Sequence, residues 1–383
     1  MLDPLLRAQL ATEGLDVDAP VARHGGAGPT GDGHVVVDGS PLALPLRKNS
    51  RFRVAGGSVW MDGRDLHLSV EPVGRPLFYD RTTSDGIPMH MLARLHGADV
   101  LATTVVQTCV RYGPDQRCRY CSIEQSLDAG TTTRVKTPAQ LAEVAHAAVS
   151  LDRVRQMVMT TGTSAAPDRG ARYLARCARG VRSSCPDLPL QVQCEPPSEL
   201  SVLSELRTSG VNSIGIHAES LDESVRSRWL PGKARVPLDD YWDAWAEAVD
   251  VFGWNQVSTY LLVGLGEHPD ELVEGAARLI GIGVYPFVVP VRPGAGTLAA
   301  ADGLSPPDPE YVAEVSGRVA ALLRQAGMEG TRQSSGCASC GACSTVPRSH
   351  ADPVVLAPIA LASRTAVSAT CSEAAHAGIG GPG

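Results

Sequence analysis

Cys109, Cys118 and Cys121 are the residues whose type and spacing point most directly to chemistry. Three thiolates can hold three irons of a four-iron cluster. The fourth iron then stays open and can bind a small molecule through an amine and a carboxylate. Tyr120, immediately before the last cysteine, adds an aromatic ring to the same loop. The spacing therefore predicts an iron–sulfur cluster with one exchangeable position.

A second triplet, Cys337, Cys340 and Cys343, lies near the other end of the chain. Bacterial ferredoxins bind clusters with the pattern C-x2-C-x2-C-x3-C-P, and this triplet matches its first three cysteines. Pro347 stands where the fourth cysteine is expected, so one iron of a second four-iron cluster lacks a thiolate. The candidates for this position are the substrate itself, Ser334, Ser335, Ser344 and the distant Cys371.

Zinc is the alternative for both triplets. A structural zinc site usually has four ligands from two CxxC pairs, and neither triplet supplies four. For the second triplet, zinc with Cys371 as the fourth ligand stays open. Three further cysteines, Cys177, Cys185 and Cys194, are interpreted as thiols of the hydrophobic core.

Composition and charge argue against several functional classes of protein. The chain has 383 residues, a net charge of −7 and no basic block, which argues against a nucleic-acid surface. Its apolar runs are too short to cross a membrane. The N-terminus lacks a basic region followed by an apolar stretch. We therefore expect a soluble, cytoplasmic protein with reduced thiols.

Three regions can be distinguished along the chain. Residues 1–97 contain short β-type runs and Asp-Gly pairs typical of hairpins, which predict a small β-rich cap domain. Residues 98–300 alternate between strand-like and helix-like segments. Residues 301–383 hold a last helix, the second cysteine triplet and a tail rich in Ala, Ser and Gly that is predicted to be flexible.

The alternation in the middle region predicts parallel βα units. Thr137, Pro138 and Gln140 form a helix start with a capping box. Another helix is predicted over 238–252, ending at Gly253. Counting the strand before the first cysteines gives six units and an α/β fold. The predicted strands are 100–107, 154–161, 188–195, 213–219, 256–264 and 285–291.

Six βα units with a cysteine loop after the first strand resemble the partial (βα)6 TIM-type barrel of the radical S-adenosylmethionine (SAM) superfamily. The first gap of eight residues departs from the usual three. The resemblance implies a [4Fe-4S] cluster on the first triplet, bound SAM, and a reductase or a flavodoxin or ferredoxin as electron donor. It also implies that a 5′-deoxyadenosyl radical abstracts hydrogen from a small-molecule substrate.

The resemblance further implies where SAM contacts lie, at the carboxyl ends of the strands. Thr161, Gly162 and Thr163 stand where the family often has Gly-Gly-Glu, close to the SAM amino group. Tyr120 belongs to the cofactor site through the cysteine motif. The departure to Thr resembles the branch of biotin synthase and lipoyl synthase.

Two later segments resemble the same branch. His217 and Glu219 follow the fourth strand, and Glu219 is implied to contact the SAM ribose or amine. Arg228 or Arg235 is implied to pair with the carboxylate of SAM. Leu262 and Gly264, on the fifth strand, are implied to pack against adenine. The alternative is that His217 and Glu219 form an ordinary buried pair and that the glycine only ends its strand; the sequence leaves both open.

The second triplet suggests what happens to the substrate. Lipoyl synthases donate sulfide from an auxiliary cluster whose fourth ligand is serine, which favours a sulfur-inserting enzyme with Ser344 as ligand here. Lipoyl synthase itself carries that triplet before the radical SAM motif, whereas here it follows. Proteins of the nitrilase-cluster radical SAM family, and enzymes making thiosugar nucleosides of the albomycin type, are similar in outline. The alternatives are an oxidase or epimerase whose second cluster relays an electron, and a non-catalytic iron–sulfur or zinc scaffold.

Overall fold

The computed structural model describes residues 2–17 and 34–349; Cys371 and the predicted flexible tail lie outside this part. A helix and a five-stranded sheet come first. The sheet has the strand order β2-β1-β5-β4-β3. These elements are α1 Pro4–Glu13, β1 His34–Val37, β2 Ser40–Ala43, β3 Phe52–Ala55, β4 Ser58–Met61 and β5 Arg64–Pro72.

Two hairpins of this sheet turn at Asp-Gly pairs. Asp38 and Gly39 join β1 to β2 with φ values of 48° and 77°, and Asp62 and Gly63 join β4 to β5 with φ values of 49° and 82°. Two consecutive residues with positive φ are what a tight primed turn requires, and they fit the twist of the flanking strands. The hairpins expected from the sequence are therefore present.

The middle of the chain forms a seven-stranded sheet with helices between its strands. The 3-10 helices of the described chain are Leu77–Asp80, Met89–Met91, Lys233–Arg235 and Gly330–Arg332. The strands and α-helices are β6 Arg94–His96, β7 Val100–Thr104, α2 Gln125–Asp128, α3 Pro138–Asp152, β8 Gln156–Thr160, α4 Ala171–Ser184, β9 Leu190–Cys194, α5 Ser201–Thr208, β10 Ser213–Ile216, α6 Glu223–Trp229, α7 Leu238–Phe252, β11 Val257–Val263, α8 Pro269–Gly281 and β12 Val284–Pro290.

The sheet is a partial barrel. Its order is β12-β11-β10-β9-β8-β7-β6; β7 to β12 run parallel, and β6 pairs antiparallel with β7. The six predicted parallel strands and the α/β partial-barrel class are confirmed. Strand β6 was not predicted, and the proposed division at residue 97 would place it outside the barrel domain. The open side of the barrel lies between the edge strands β6 and β12.

The helix signals read from the sequence hold in the structure. Thr137 accepts a hydrogen bond from the Gln140 backbone at 3.2 Å, and the Gln140 side chain accepts one from the Thr137 backbone at 2.9 Å. This capping box starts α3, which buries Leu141 and Val144 in the barrel core. Helix α7 ends at Gly253, whose φ of 97° only glycine adopts without strain.

Three helices complete the described chain: α9 Leu298–Ala301, α10 Pro309–Gln325 and α11 Cys337–Cys340. Asp308 caps α10 by accepting a hydrogen bond from the Tyr311 backbone at 3.1 Å. Helix α10 packs against α1 and α8, so the two ends of the described chain meet on one side of the barrel. None of the helices within 2–17 and 34–349 has the length and apolar character that crossing a membrane would need.

Candidate active site

A cavity of about 410 Å³ lies inside the partial barrel. Cys109, Cys118 and Cys121 all line it, and so does Cys343 of the second triplet. The two cysteine groups are far apart in sequence, yet both reach one cavity of a size that suits a small molecule. The structure thus brings together the two motifs that the sequence singled out separately.

The cysteine loop leaves the barrel after β7 and lies against the segment that follows β8. Gly162 donates a backbone hydrogen bond to Val106 O at 2.9 Å, and Val110 donates one to Thr163 O at 2.9 Å. A Cβ at position 162 would lie 2.0 Å from the carbonyl oxygen of Thr108. Glycine is therefore required for this close approach, and Thr161, Gly162 and Thr163 line the cavity where the resemblance implied them.

Burial makes the thiols of this loop hard to ionise. It raises the pKa of Cys118, against the attraction of the Lys233 ammonium, and it raises the pKa of Cys121 to about 11. A thiolate at these positions needs a compensating positive charge, and bound metal supplies one because it deprotonates its thiol ligands outright. The donor set is therefore suited to iron.

Three buried polar atoms in or beside the loop have no partner among the described residues. They are Arg117 Nε, Tyr120 Oη and His217 Nε2, and all three residues line the cavity. The Tyr260 backbone donates to His217 Nδ1 at 3.2 Å, which leaves the proton on Nε2. Burial lowers the pKa of His217 to about 3, so the ring is neutral. Leaving such atoms unpaired costs about 1–3 kcal/mol each, which a polar ligand such as SAM would recover.

Glu219 follows β10 in a strained conformation with φ of 70°. Its carboxylate accepts a hydrogen bond from Lys233 Nζ at 3.1 Å, and the same ammonium donates to His217 O at 3.0 Å. Left-handed backbone at a non-glycine residue costs about 1–2 kcal/mol. Strain of this kind is often found at ligand sites, where it fixes the direction of a side chain. Here it holds a carboxylate and an ammonium at the cavity wall.

Glu195 is a cavity residue that the sequence reasoning missed. Arg111 binds its carboxylate at 2.8 Å and Arg169 at 3.2 Å, and the Thr163 hydroxyl donates to it at 2.8 Å. Burial by itself would raise the pKa of Glu195, but the bond from Arg111 and the neighbouring cations hold it below the usual value. An acidic residue at the last position of a predicted buried strand was the available signal. Lys233 was noticeable only as one of three lysines in the chain.

Not every residue implied by the resemblance reaches the cavity. Leu262 lines it, but Gly264 lies outside, where a Cβ would be 2.8 Å from Pro307. Arg228 is exposed and stacks over Trp229 at 5.0 Å. Arg235 is exposed as well. Lys233, rather than either arginine, is the cation beside Glu219.

Replacing Glu219 by glutamine is expected to weaken SAM binding at least tenfold. The change keeps the shape but removes the charge that balances Lys233, and a charge-assisted hydrogen bond is worth about 1.5–3 kcal/mol. Titration calorimetry with reconstituted protein measures the loss. Asp243→Asn on the exposed face of α7 is the matched control. Unchanged SAM affinity in Glu219→Gln would show that the pair belongs only to the core.

The second triplet is seated at the opposite end of the barrel, on side chains from the amino ends of the strands. Gln156 Oε1 accepts a hydrogen bond from the Gly336 backbone at 2.6 Å. Gln191 Oε1 accepts one from the Cys337 backbone at 3.3 Å, and the Ser213 hydroxyl donates to Ser335 O at 2.7 Å. Polar side chains inside a barrel are costly unless they are satisfied. Here they bind the segment that carries the cysteines.

The three sulfurs have different surroundings. Tyr260 Oη lies 3.0 Å from Cys337 Sγ, and Gln193 Nε2 lies 3.1 Å from it. Cys343 Sγ lies 3.4 Å from His96 Nε2 on strand β6. A Cβ on Gly97, the residue after this histidine, would be 2.8 Å from Cys340 Sγ. Hydrogen bonds and close backbone approach at sulfur are features of iron–sulfur sites.

The serines named as possible fourth ligands are engaged elsewhere. Ser344 donates its hydroxyl to Val288 O at 2.7 Å and accepts from the Val346 backbone at 3.1 Å. Ser335 is hydrogen-bonded to Ser213. Ser334 is exposed. The fourth candidate, Cys371, lies outside the described residues.

The N-terminal region supports this segment from outside. Arg7 donates to Ser344 O at 2.9 Å and to Gly341 O at 2.7 Å. The Ala43 backbone donates to Ala342 O at 2.9 Å. Helix α1 and strand β2 therefore hold the last two cysteines in place, which gives the N-terminal region a structural part in the site.

Gly336→Ala is expected to destabilise the protein by at least about 2 kcal/mol and to reduce its iron content. Gly336 has φ of 112° and ψ of −167°, a region open essentially to glycine alone. Its Cβ would also fall 2.0 Å from the Gln191 amide. Anaerobic urea unfolding and iron analysis measure both effects. Gly317→Ala, on helix α10 with open space around its Cβ, is the control and should stabilise by up to about 1 kcal/mol. Equal stability of the two variants would contradict the proposed packing of Gly336 against Gln156 and Gln191.

Within the described chain, no three His, Cys, Asp or Glu side chains are grouped closely enough to hold a single metal ion. None of the nine cysteines in this part of the chain forms a disulfide.

The chain is similar to several known proteins. Bacteriochlorophyllide c C-7(1)-hydroxylase of Chlorobaculum limnaeum is 23% identical over 343 residues, covering 83% of this chain and 83% of the relative. Methylornithine synthase (PylB) is 13% identical with a TM-score of 0.45, covering 60% of this chain and 64% of that one. HydG, a maturase of the [FeFe]-hydrogenase, is 15% identical with a TM-score of 0.44, covering 59% and 49%. This chain thus spans about half the length of HydG and under two thirds of PylB.

The middle of the chain matches the sequence model of a known protein family. Residues 110–280 match the model of the Radical SAM superfamily. The match starts directly after Cys109, includes Cys118 and Cys121, and extends through β11 into α8. The chain therefore carries a radical SAM domain at residues 110–280.

Proposed function

We propose that the protein is a radical SAM enzyme that inserts sulfur into a small-molecule substrate, taking the sulfur from a second [4Fe-4S] cluster. The family implies one [4Fe-4S] cluster and SAM. The observation that supports the finer proposal is the shared cavity, which Cys343 lines together with the first triplet. A cluster bound there would abut the substrate.

The first triplet would hold the cluster that binds SAM. Tyr120, His217, Glu219 and the segment around Gly162 would hold SAM itself, because their unpaired or charged atoms face the same cavity. When bound, the first cluster and SAM together supply the 5′-deoxyadenosyl radical. The protein's own part is to position the substrate carbon and to exclude water.

The second triplet, Cys337, Cys340 and Cys343, would hold the sulfur source. When bound, that cluster would supply a sulfide to the substrate carbon from which hydrogen has been removed, and its iron would take up the electron. Three protein thiolates leave one iron with a weak or exchangeable ligand. Ser344 stays the proposed protein ligand there, and binding iron would require its hydroxyl to leave Val288 O. We place the enzyme near biotin synthase and lipoyl synthase on this basis.

A second candidate function is oxidation of an unactivated carbon. The hydroxylase from Chlorobaculum limnaeum matches 83% of this chain, which favours an oxygen-inserting or oxidising reaction. In that case the second cluster would relay an electron. Tyr260 supports a relay as well, because it stacks on His217 at 4.1 Å and reaches Cys337 at 3.0 Å. A small-molecule substrate and an external electron donor are proposed for both functions.

The presence of the second cluster can be tested by iron analysis. Anaerobically reconstituted protein is expected to contain about eight irons and eight sulfides per chain, since two [4Fe-4S] clusters are proposed. A variant with alanine at Cys337, Cys340 and Cys343 should contain about four. If wild-type protein holds only about four irons, the second cluster and the sulfur-donor role both fail.

A further inference from the structure

The cavity carries an excess of positive charge, although the whole chain has a net charge of −7. Among the described residues that line it, the carboxylates are Glu195 and Glu219. Glu195 is already paired with Arg111 and Arg169, and Glu219 is paired with Lys233. The cations that line it are Arg94, Arg111, Arg117, Lys136, Lys233 and Arg292.

Arg94 is a lining cation that no described residue pairs with. It lies on the edge strand β6, in register with Ala102 of β7, at the open side of the barrel. It is half-buried, and its guanidinium has neither a hydrogen bond nor an ion pair with the described residues. Its guanidinium nitrogens are not buried, and the five donors of an arginine fit carboxylate or phosphate oxygens well.

Lys136 is a second cation on the same side. It is 1% exposed, and its ammonium donates to Gln107 Oε1 at 2.9 Å and Thr133 O at 3.2 Å. Both partners are neutral, and burial lowers the pKa of Lys136 to about 7. Thr132 donates to Met91 O at 3.0 Å, which ties the segment before Lys136 to the segment before Arg94.

Arg292 stands across the open side, directly after β12. It is held by the carbonyls of Ala11 at 3.0 Å and Ala43 at 2.8 Å. These contacts fix its guanidinium beside the cavity. The two edges of the open barrel thus each present an arginine, and apolar side chains such as Leu92 and Ile123 line the space near them.

We propose that the substrate is a small organic acid, whose carboxylate or phosphate binds Arg94 at the open side of the barrel with Lys136 nearby. This inference rests on the proposed function only in taking the cavity as the substrate site. A positive cavity in a negative protein concentrates anions. The apolar wall then receives the hydrocarbon part of the acid, and the planar fork of Arg94 orients it.

Anaerobic titration calorimetry on reconstituted, SAM-saturated protein without reductant tests this, with benzoate, phenyl phosphate and benzamide as probes. Benzoate or phenyl phosphate should bind at least tenfold more tightly than the neutral benzamide. Whichever anion binds better identifies the acid group. Arg94→Gln should weaken anion binding at least tenfold, and Arg94→Lys should weaken it less. The exposed Arg81→Gln is the control and should bind as wild type does.

Three results overturn the inference: neither anion binds, benzamide binds as tightly as the anions, or Arg94→Gln retains wild-type affinity. The assay involves no turnover, so it is independent of sulfur transfer. Anion binding that depends on Arg94, in a wild-type protein whose separate turnover assay gives only a sulfur-free product, would reject sulfur insertion alone.

Discussion

Replacing Cys109, Cys118 and Cys121 together by alanine abolishes formation of 5′-deoxyadenosine from SAM. The three thiols line the cavity beside the unpaired atoms Tyr120 Oη and His217 Nε2. Loss of the thiols removes the iron to which SAM would bind. A fall of at least a thousandfold is expected, about 4 kcal/mol in barrier height. Chromatography of reactions with dithionite measures the product, and iron analysis should show a loss of about four irons.

Core thiols provide the matched control. Cys177 and Cys185 are buried among apolar side chains and do not line the cavity. Their replacement by alanine should lower stability, by roughly 1–2 kcal/mol, and leave 5′-deoxyadenosine formation in place. Full SAM cleavage by the triple variant would reject the proposed ligand set, whatever the control shows.

Replacing Cys337, Cys340 and Cys343 by alanine has a different expected result. SAM cleavage continues, because the first triplet lies on another loop, and the backbone hydrogen bonds from Val110 to Thr163 and from Gly162 to Val106 are untouched. The sulfur-bearing product disappears. In wild-type protein, product formation should stop near one turnover, since each cycle consumes the proposed cluster.

Mass spectrometry of reactions supplied with small-molecule acids extracted from cells measures this prediction. The informative comparison is the ratio of sulfur-bearing product to 5′-deoxyadenosine in the two proteins. A sulfur-bearing product from the alanine variant contradicts the proposal. Many turnovers from a protein that keeps all its iron would favour the electron-relay enzyme.

Local signals were enough to predict the barrel. The capping box at Thr137 and the stop at Gly253 depend on residues within a few positions of each other, and both appear in the structure. The parallel strands were readable because a fully buried strand is a continuous apolar run. Strand β6 was not predicted, because a strand of three residues is too short to show a periodic pattern.

The cysteine loops were predictable from spacing, but their surroundings were not. Glu195 meets Arg111 across 84 positions and His96 meets Cys343 across 247. Such pairs depend on how strands assemble, which no local pattern records. The contacts of the second triplet are the clearest case. Gln156 and Gln191 have no distinguishing feature in the sequence, but in the structure they accept hydrogen bonds from the backbones of Gly336 and Cys337.

Heavy-isotope labelling of the cluster sulfide tests the central proposal most directly. The protein is reconstituted with iron and ³⁴S-sulfide, freed of unbound sulfide, and reacted with SAM, reductant and extracted small-molecule acids. The cavity shared by Cys343 and the first triplet predicts a product that carries ³⁴S, in an amount near one per chain, and no labelled product from the variant lacking Cys337, Cys340 and Cys343. A product without ³⁴S, formed while the second cluster stays intact, would contradict sulfur insertion from this cluster.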